Sequence, residues 1–162
     1  MSWSNYEKAL NLLEEHQEEC DFVGERSEIL IEKAEDALGI KFSKMYRHFL
    51  LNYGAGNFGG EEVYGVIHEN FLNSSIPDAI WYTLTERRDS SLPNNYLIIY
   101  DTTMGDLFCL DFNKLNGENE PAVVSIDLGY DINEQPIELI AEDFGDFFLE
   151  IIQNELEDLY IS

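Results

Sequence analysis

The chain is poor in positive charge. Only 9 of its 162 residues are lysine or arginine, against 33 aspartates and glutamates, for a formal net charge of −24. A partner recognised through its phosphates demands cationic side chains that displace counterions, so direct binding of nucleic acid or of an anionic membrane is disfavoured and a basic partner is favoured. Cysteine is nearly absent: Cys20 and Cys109 form no CxxC pair and carry no metal-ligand spacing, and both read as buried thiols. The three histidines, His16, His48 and His68, are far apart, and the one pairing at helical spacing, His16 with Cys20, has no second such pair to complete a ligand set. No zinc or di-metal pattern is present. No apolar run approaches the ~20 residues of a membrane span, and the start lacks a basic region followed by an apolar block. The cytoplasm is the simplest expected location.

What is present is the composition of a folding chain. Hydrophobic residues make up 44% and aromatics 13%, enough apolar surface to offset the entropy of ordering the backbone. A length of 162 residues suits one domain spanning 1–162, because a chain near ~150 residues hides roughly 70% of its unfolded surface.

Periodicity divides the chain into helices, then strands, then a closing helix. Trp3, Tyr6, Leu10 and Leu13 recur at helical spacing and predict a helix from about Asn5 to Glu19. Its other face stacks Glu14 over Glu18 and Glu15 over Glu19, which reads as a solvated surface carrying a slight repulsion. Ser27 is placed to cap a second helix whose inner face is Leu30, Ile31, Ala34, Ala37 and Leu38, ended by a left-handed Gly39 with Ile40 folded back. Ser43 is the next candidate cap, for a helix that turns Tyr46, Phe49, Leu50 and Tyr53 inward until Gly54.

A strand is expected over Glu62–Ile67. Ile76, Ile80, Trp81 and Leu84 then return at helical spacing after Ser74-Ser75-Ile76-Pro77. Tyr96–Asp101 and Asp106–Asp111 read as a hairpin around Thr102-Thr103-Met104-Gly105, and Ala122–Ile126 as a further strand. The last helix presents Phe144, Phe147, Phe148, Ile151, Ile152, Leu156 and Leu159 after the acids Glu142 and Asp143, which suit a helix N-terminus. The sum is a single α+β domain, a mostly antiparallel sheet packed with N-terminal and C-terminal helices.

Several patterns invite chemistry and are better explained without it. Gly54-Ala55-Gly56-Asn57-Phe58-Gly59 matches G-x-G-x-x-G, but it follows a helix and leads to a strand, the reverse of a dinucleotide turn. No helix N-terminus points at a phosphate there, and Glu61-Glu62 would repel one. The glycines read as a loop using positive φ. Asp101, Asp106 and Asp111 lack the alternating acids of an EF-hand loop and suit turn and strand-end roles. No G-x-S-x-G elbow occurs and neither cysteine has a nucleophile context. The expectation is a protein that is not an enzyme, with no catalytic, metal or cofactor residues. Phe58, in the glycine loop, is expected to be partly exposed beside acids, as an interface anchor would be.

The order of these features resembles the SUKH superfamily, the Smi/Knr-like proteins, over about residues 29–152. The match is carried by Glu35, Leu38, Gly39, Tyr46, Phe49, Leu50, Gly54, Gly56 and Gly65, with Gly105-Asp106-Leu107-Phe108 resembling the family's sheet hairpin and Phe144–Phe148 its closing helix. Ser43 stands where the family often has proline.

These residues carry architecture. What the resemblance implies is one α+β domain that binds another protein, in many bacterial members as immunity protein against a toxin and in others as an intracellular regulatory scaffold. With the charge, it points to an immunity protein that covers the substrate surface of a cognate basic toxin, such as a nuclease domain. The residues expected at that contact are Phe58, Glu61 and Glu62 at the glycine loop, Asp101 and Asp106 at the hairpin, and Glu155, Glu157 and Asp158 on the last helix.

Overall fold

The computed structural model describes residues 2–160. Five helices alternate with two antiparallel sheets: α1 (Ser2–Glu15), β1 (Cys20–Phe22), α2 (Glu28–Leu38), α3 (Lys44–Asn52), β2 (Gly56–Phe58), β3 (Glu61–Val63), α4 (Ala79–Asp89), β4 (Tyr96–Asp101), β5 (Leu107–Leu115), β6 (Pro121–Ile126), β7 (Glu138–Ala141) and α5 (Phe144–Tyr160). The small sheet has the order β1-β2-β3 and the larger one β4-β5-β6-β7. One continuous apolar core joins them, with Tyr6, Tyr46, Phe49, Phe144, Phe147 and Phe148 among its fully buried side chains.

The α2–α3 corner follows the residues closely. The Ser27 hydroxyl accepts the Leu30 amide at 3.1 Å, and Gly39 ends α2 at φ 70° while the Gly39 and Ile40 amides both donate to the Glu35 carbonyl. Glu35 then does a second job that helical periodicity does not reveal. Its buried carboxylate accepts the Phe42 amide at 2.8 Å and an ion pair from Arg47 of α3, so one side chain holds two helices at a fixed angle. Ala37, expected on the inner face, is exposed, because Glu35 takes a place in the buried stripe and rotates it.

Other local expectations are corrected. α1 stops at Glu15, and Gln17–Glu19 is a short 3₁₀ turn into β1, so Cys20 lies in a strand. Ser43 does hold the N-cap position of α3, yet its hydroxyl bonds no helix amide. The buried Glu120 carboxylate lies at that end, favoured in its charged form by the Met45 and Lys44 amides. Burial outweighs them and raises its pKa. α4 begins at Ala79, capped by Asp78, whose Oδ1 accepts the Ile80 and Trp81 amides at 3.0 Å each. Ile76 lies outside that helix, 49% exposed. On α5 the apolar face is buried as far as Ile152, while Leu159 is exposed.

The tightest point of the fold is at Gly65. A Cβ there would overlap the Gly54 carbonyl oxygen, and that close approach lets the Val66 amide donate to Gly54 at 3.0 Å while Gly65 bridges to Pro77 and Ala79. Gly54 itself sits at φ 73°, where a Cβ would meet the Gly24 carbonyl.

Two predictions follow from these packing relations. Gly65→Ala forces backbone apart and is expected to cost about 3 kcal/mol in urea melts, against less than ~0.5 for Gly117→Ala, where a Cβ meets open space. The second concerns Asp78, whose pKa burial raises despite its capping bonds. The folded state therefore binds more protons than the unfolded one between the ordinary carboxylate range and the raised value, and stability falls as pH rises through that window. Asp78→Asn keeps the acceptor oxygen and cannot ionise. Paired thermal melts from pH 4 to 7.5 are expected to show the wild type losing ground to the variant as pH rises.

Candidate functional site

Four of the eight residues expected at a contact are gathered on one edge, where the β2–β3 hairpin meets α5 and β4. Phe58 pairs with Glu61 across a two-residue turn, Gly59-Gly60. Gly59 takes φ 57°, as such a turn requires. A Cβ on Gly59 would collide with the Glu155 side chain, and the bare turn instead lets Glu155 accept the Gly60 amide at 2.6 Å. Glu61 accepts the Tyr100 hydroxyl of β4. Burial first, then the bond to Glu61 and the nearby carboxylates of Glu61, Glu155 and Asp101, push the Tyr100 phenol well above its ordinary range. Glu62 is half-buried and its carboxyl is raised by that burial. Asp101, at the end of β4, accepts the Thr103 amide at 2.7 Å in the hairpin turn.

The others stand apart or are overturned. Asp106 is exposed beyond that turn, where its carbonyl accepts the Thr102 amide. Glu157 and Asp158 are exposed near the end of α5. Phe58 is not an exposed anchor: it is 1% exposed in β2, paired with both β1 and β3, and the stretch read as a glycine loop is largely strand. The motif residues Leu38, Tyr46, Phe49 and Leu50 are buried, and the Tyr46 hydroxyl donates to the Tyr64 carbonyl at 2.8 Å. Gly54, Gly56 and Gly65 serve close backbone approach.

Beside this edge lies a groove of about 460 Å³ between α5 and the larger sheet. Its floor is Tyr100 and Phe108, stacked with centroids 5.3 Å apart, with Phe147 of α5 set edge-on to Tyr100 at 5.4 Å. Register explains the arrangement: Tyr100 faces Phe108, Phe108 faces Ser125 and Ser125 faces Glu138, so one row crosses all four strands. Glu61, Glu138 and Glu150 are the charged residues of the lining, and no lysine or arginine lines it. Sequence reasoning missed Glu138, Glu150 and the Tyr100–Phe108 floor. The alternation of β4 and β5 carries the aromatic pair, but Glu138 sits on the unexpected strand β7 and Glu150 joins it only through the packing of α5.

A larger cavity of about 690 Å³ opens at the α3 N-terminus, lined by Lys41, Lys44, Phe112 and Glu120 among others. Its lining holds two lysines, Lys41 and Lys44, and two glutamates, Glu118 and Glu120, which balance in formal charge. Among the described residues, no group of three or more His, Cys, Asp or Glu side chains is placed to hold a metal ion. No helix there is long and apolar enough to cross a membrane.

The locked helix corner, the glycine pinch and the antiparallel sheet closed by α5 define an α+β scaffold of the Smi/Knr type. The family model described as SMI1-KNR4 cell-wall, SUKH_5, matches residues 6–153, and the chain belongs to that family. No curated protein matches the chain.

The contact between Glu155 and the hairpin turn is testable by exchange. Glu155→Ala is expected to cost about 1 kcal/mol, the worth of a charge-assisted bond at a partly exposed site. Amide hydrogen exchange should accelerate at Gly60 while the core amides of β5 and β6 keep their relative protection.

Proposed function

We propose that the protein is an immunity protein that binds a cognate basic toxin, such as a nuclease domain, in the cytoplasm and neutralises it by covering its substrate surface. The observation that carries this reading is the concentration of carboxylates at the hairpin edge of a SUKH scaffold, Glu61, Glu62, Asp101 and Glu155, on a chain with net charge −24. Such a field speeds encounter with a cationic groove and competes there with phosphate. Asp106, Glu157 and Asp158 extend the acidic surface on either side and belong to the proposed contact. Phe58 acts from beneath it by fixing the turn.

A second reading, an intracellular regulatory scaffold that binds other proteins, is favoured by the cell-wall wording of the family description. The two readings separate in one experiment. The chain is co-expressed with any toxin domain found encoded beside its gene. Immunity requires rescued growth and a co-purifying complex whose association rate falls as salt is raised from about 50 to 300 mM, since exposed charges more than ~8–10 Å apart are screened. Charge reversal of Glu157 with Asp158, both exposed on α5, is expected to slow association several-fold while leaving the melting curve near that of the wild type. Unrescued growth with both proteins expressed would remove immunity and leave the scaffold reading.

A further inference from the structure

We propose that the groove between α5 and the larger sheet is a receptor for one arginine side chain of the basic partner. The inference rests on the reading above that the partner is a basic protein, and adds where and how that partner is gripped.

The lining combines the two features that recognise a guanidinium. Tyr100 and Phe108, both only part-buried, bring aromatic rings to the lining, and a planar cation is attracted to ring faces. Carboxylates surround that surface from three elements: Glu61 of β3 at the Tyr100 side, Glu138 of β7 at the far end of the row, and Glu150 from α5. The cations placed in ion pairs are used elsewhere, Arg47 with Glu28 and Glu35, Lys33 with Glu69, and Arg88 with Asp89. No lysine or arginine lines the groove, so its negative charge has no counterpart there. The apolar walls Leu139, Ile140 and Ile151 provide contact for an aliphatic stem, and Asn154 adds a polar group at the rim.

Geometry favours arginine over lysine. A guanidinium lies flat on a ring and directs its N–H groups outward in the ring plane, where more than one carboxylate can receive them. An ammonium is a point charge, holds its water more tightly and gains less from a stacked floor. The cavity volume of about 460 Å³ leaves room for a side chain together with part of the backbone that bears it.

The test titrates N-acetyl-Gly-Arg-Gly-amide into the ¹⁵N-labelled full chain at low salt, beside the lysine and citrulline peptides. Amide shifts are expected to cluster at Tyr100, Phe108, Leu139 and Asn154, with arginine above lysine and citrulline silent. The Glu138→Gln/Glu150→Gln double variant should weaken the arginine peptide roughly five-fold or more. Phe108→Leu, which keeps the apolar volume, should erase the preference for arginine over lysine. Shifts scattered over the acidic surface, equal for both cations and unchanged in the double variant, would overturn the proposal and leave only counterion attraction. With the toxin itself the outcomes divide cleanly. A toxin bound equally by wild type and double variant sinks the groove and spares the immunity reading. Arginine seated in the groove with no toxin neutralised does the reverse.

Discussion

The backbone contact between Gly54 and Gly65 is the constraint on which the architecture turns. α3 ends at Tyr53, and the chain leaving β3 passes so close to that end that a side chain at position 65 has nowhere to go. Within three residues the strand exit bonds four neighbours: Tyr64 to Ile99 of β4, Gly65 to Pro77 and Ala79, Val66 to Gly54, with the Tyr46 hydroxyl closing on the Tyr64 carbonyl. Each is a backbone group that would otherwise be buried without a partner, so the pinch also completes the hydrogen bonding of the interior. It sets the small sheet against the edge of the large one. That is what brings Glu61 of β3 to Tyr100 of β4, and the groove inherits its acidic end from an architectural glycine.

The excess of acid is divided between two jobs by burial. Asp78, Asp143 and Glu120 are buried at the N-termini of α4, α5 and α3, where free amides and the helix dipole favour a carboxylate. Glu35 is buried with Arg47 and spans two helices. These acids make the fold and are not available to a partner. The rest lie outward, and nine basic residues cannot balance them. Arg87 illustrates the scarcity: it donates to the Leu38 and Asn94 carbonyls, tying α4 to the α2 end and to the loop before β4. A cation used as a clamp is a cation withheld from the surface.

Helices were legible because their apolar residues return with a single period over nine or more positions, and the Gly39 stop and Ser27 cap are local chemistry that no tertiary contact needs to supply. The β4–β5 hairpin was legible from two short apolar runs around the turn Thr102-Thr103-Met104-Gly105. Three short strands were not. β1 and β2 have three residues each and β7 has four, too few to show alternation. In β2 the flanking glycines suggested a loop, whereas Gly56 permits close approach to the Asp21 carbonyl and so makes the pairing with β1 possible. The error over Phe58 follows directly. Glu61 and Glu62 could be named from charge beside the glycine motif, but the groove could not, because the row from Tyr100 to Glu138 exists only once the registers of three strand pairs are fixed.

Long-range and short-range electrostatics have separate roles on such a molecule. The net charge of −24 acts through solvent, attracts any basic protein and is damped by salt, so it sets encounter rates without choosing among basic partners. Choice needs contacts that survive screening. Carboxylates around a partly enclosed aromatic floor meet that need: a cation seated among them loses water, feels a lower dielectric than the open surface provides and must match the shape of the rings. The same number of acids spread over a helix face would raise the field without adding discrimination, as Glu157 and Asp158 do. Strand register fixes the aromatic row, while the carboxylates around it come from β3, β7 and α5, so those wall residues can change without disturbing the row or the glycine pinch.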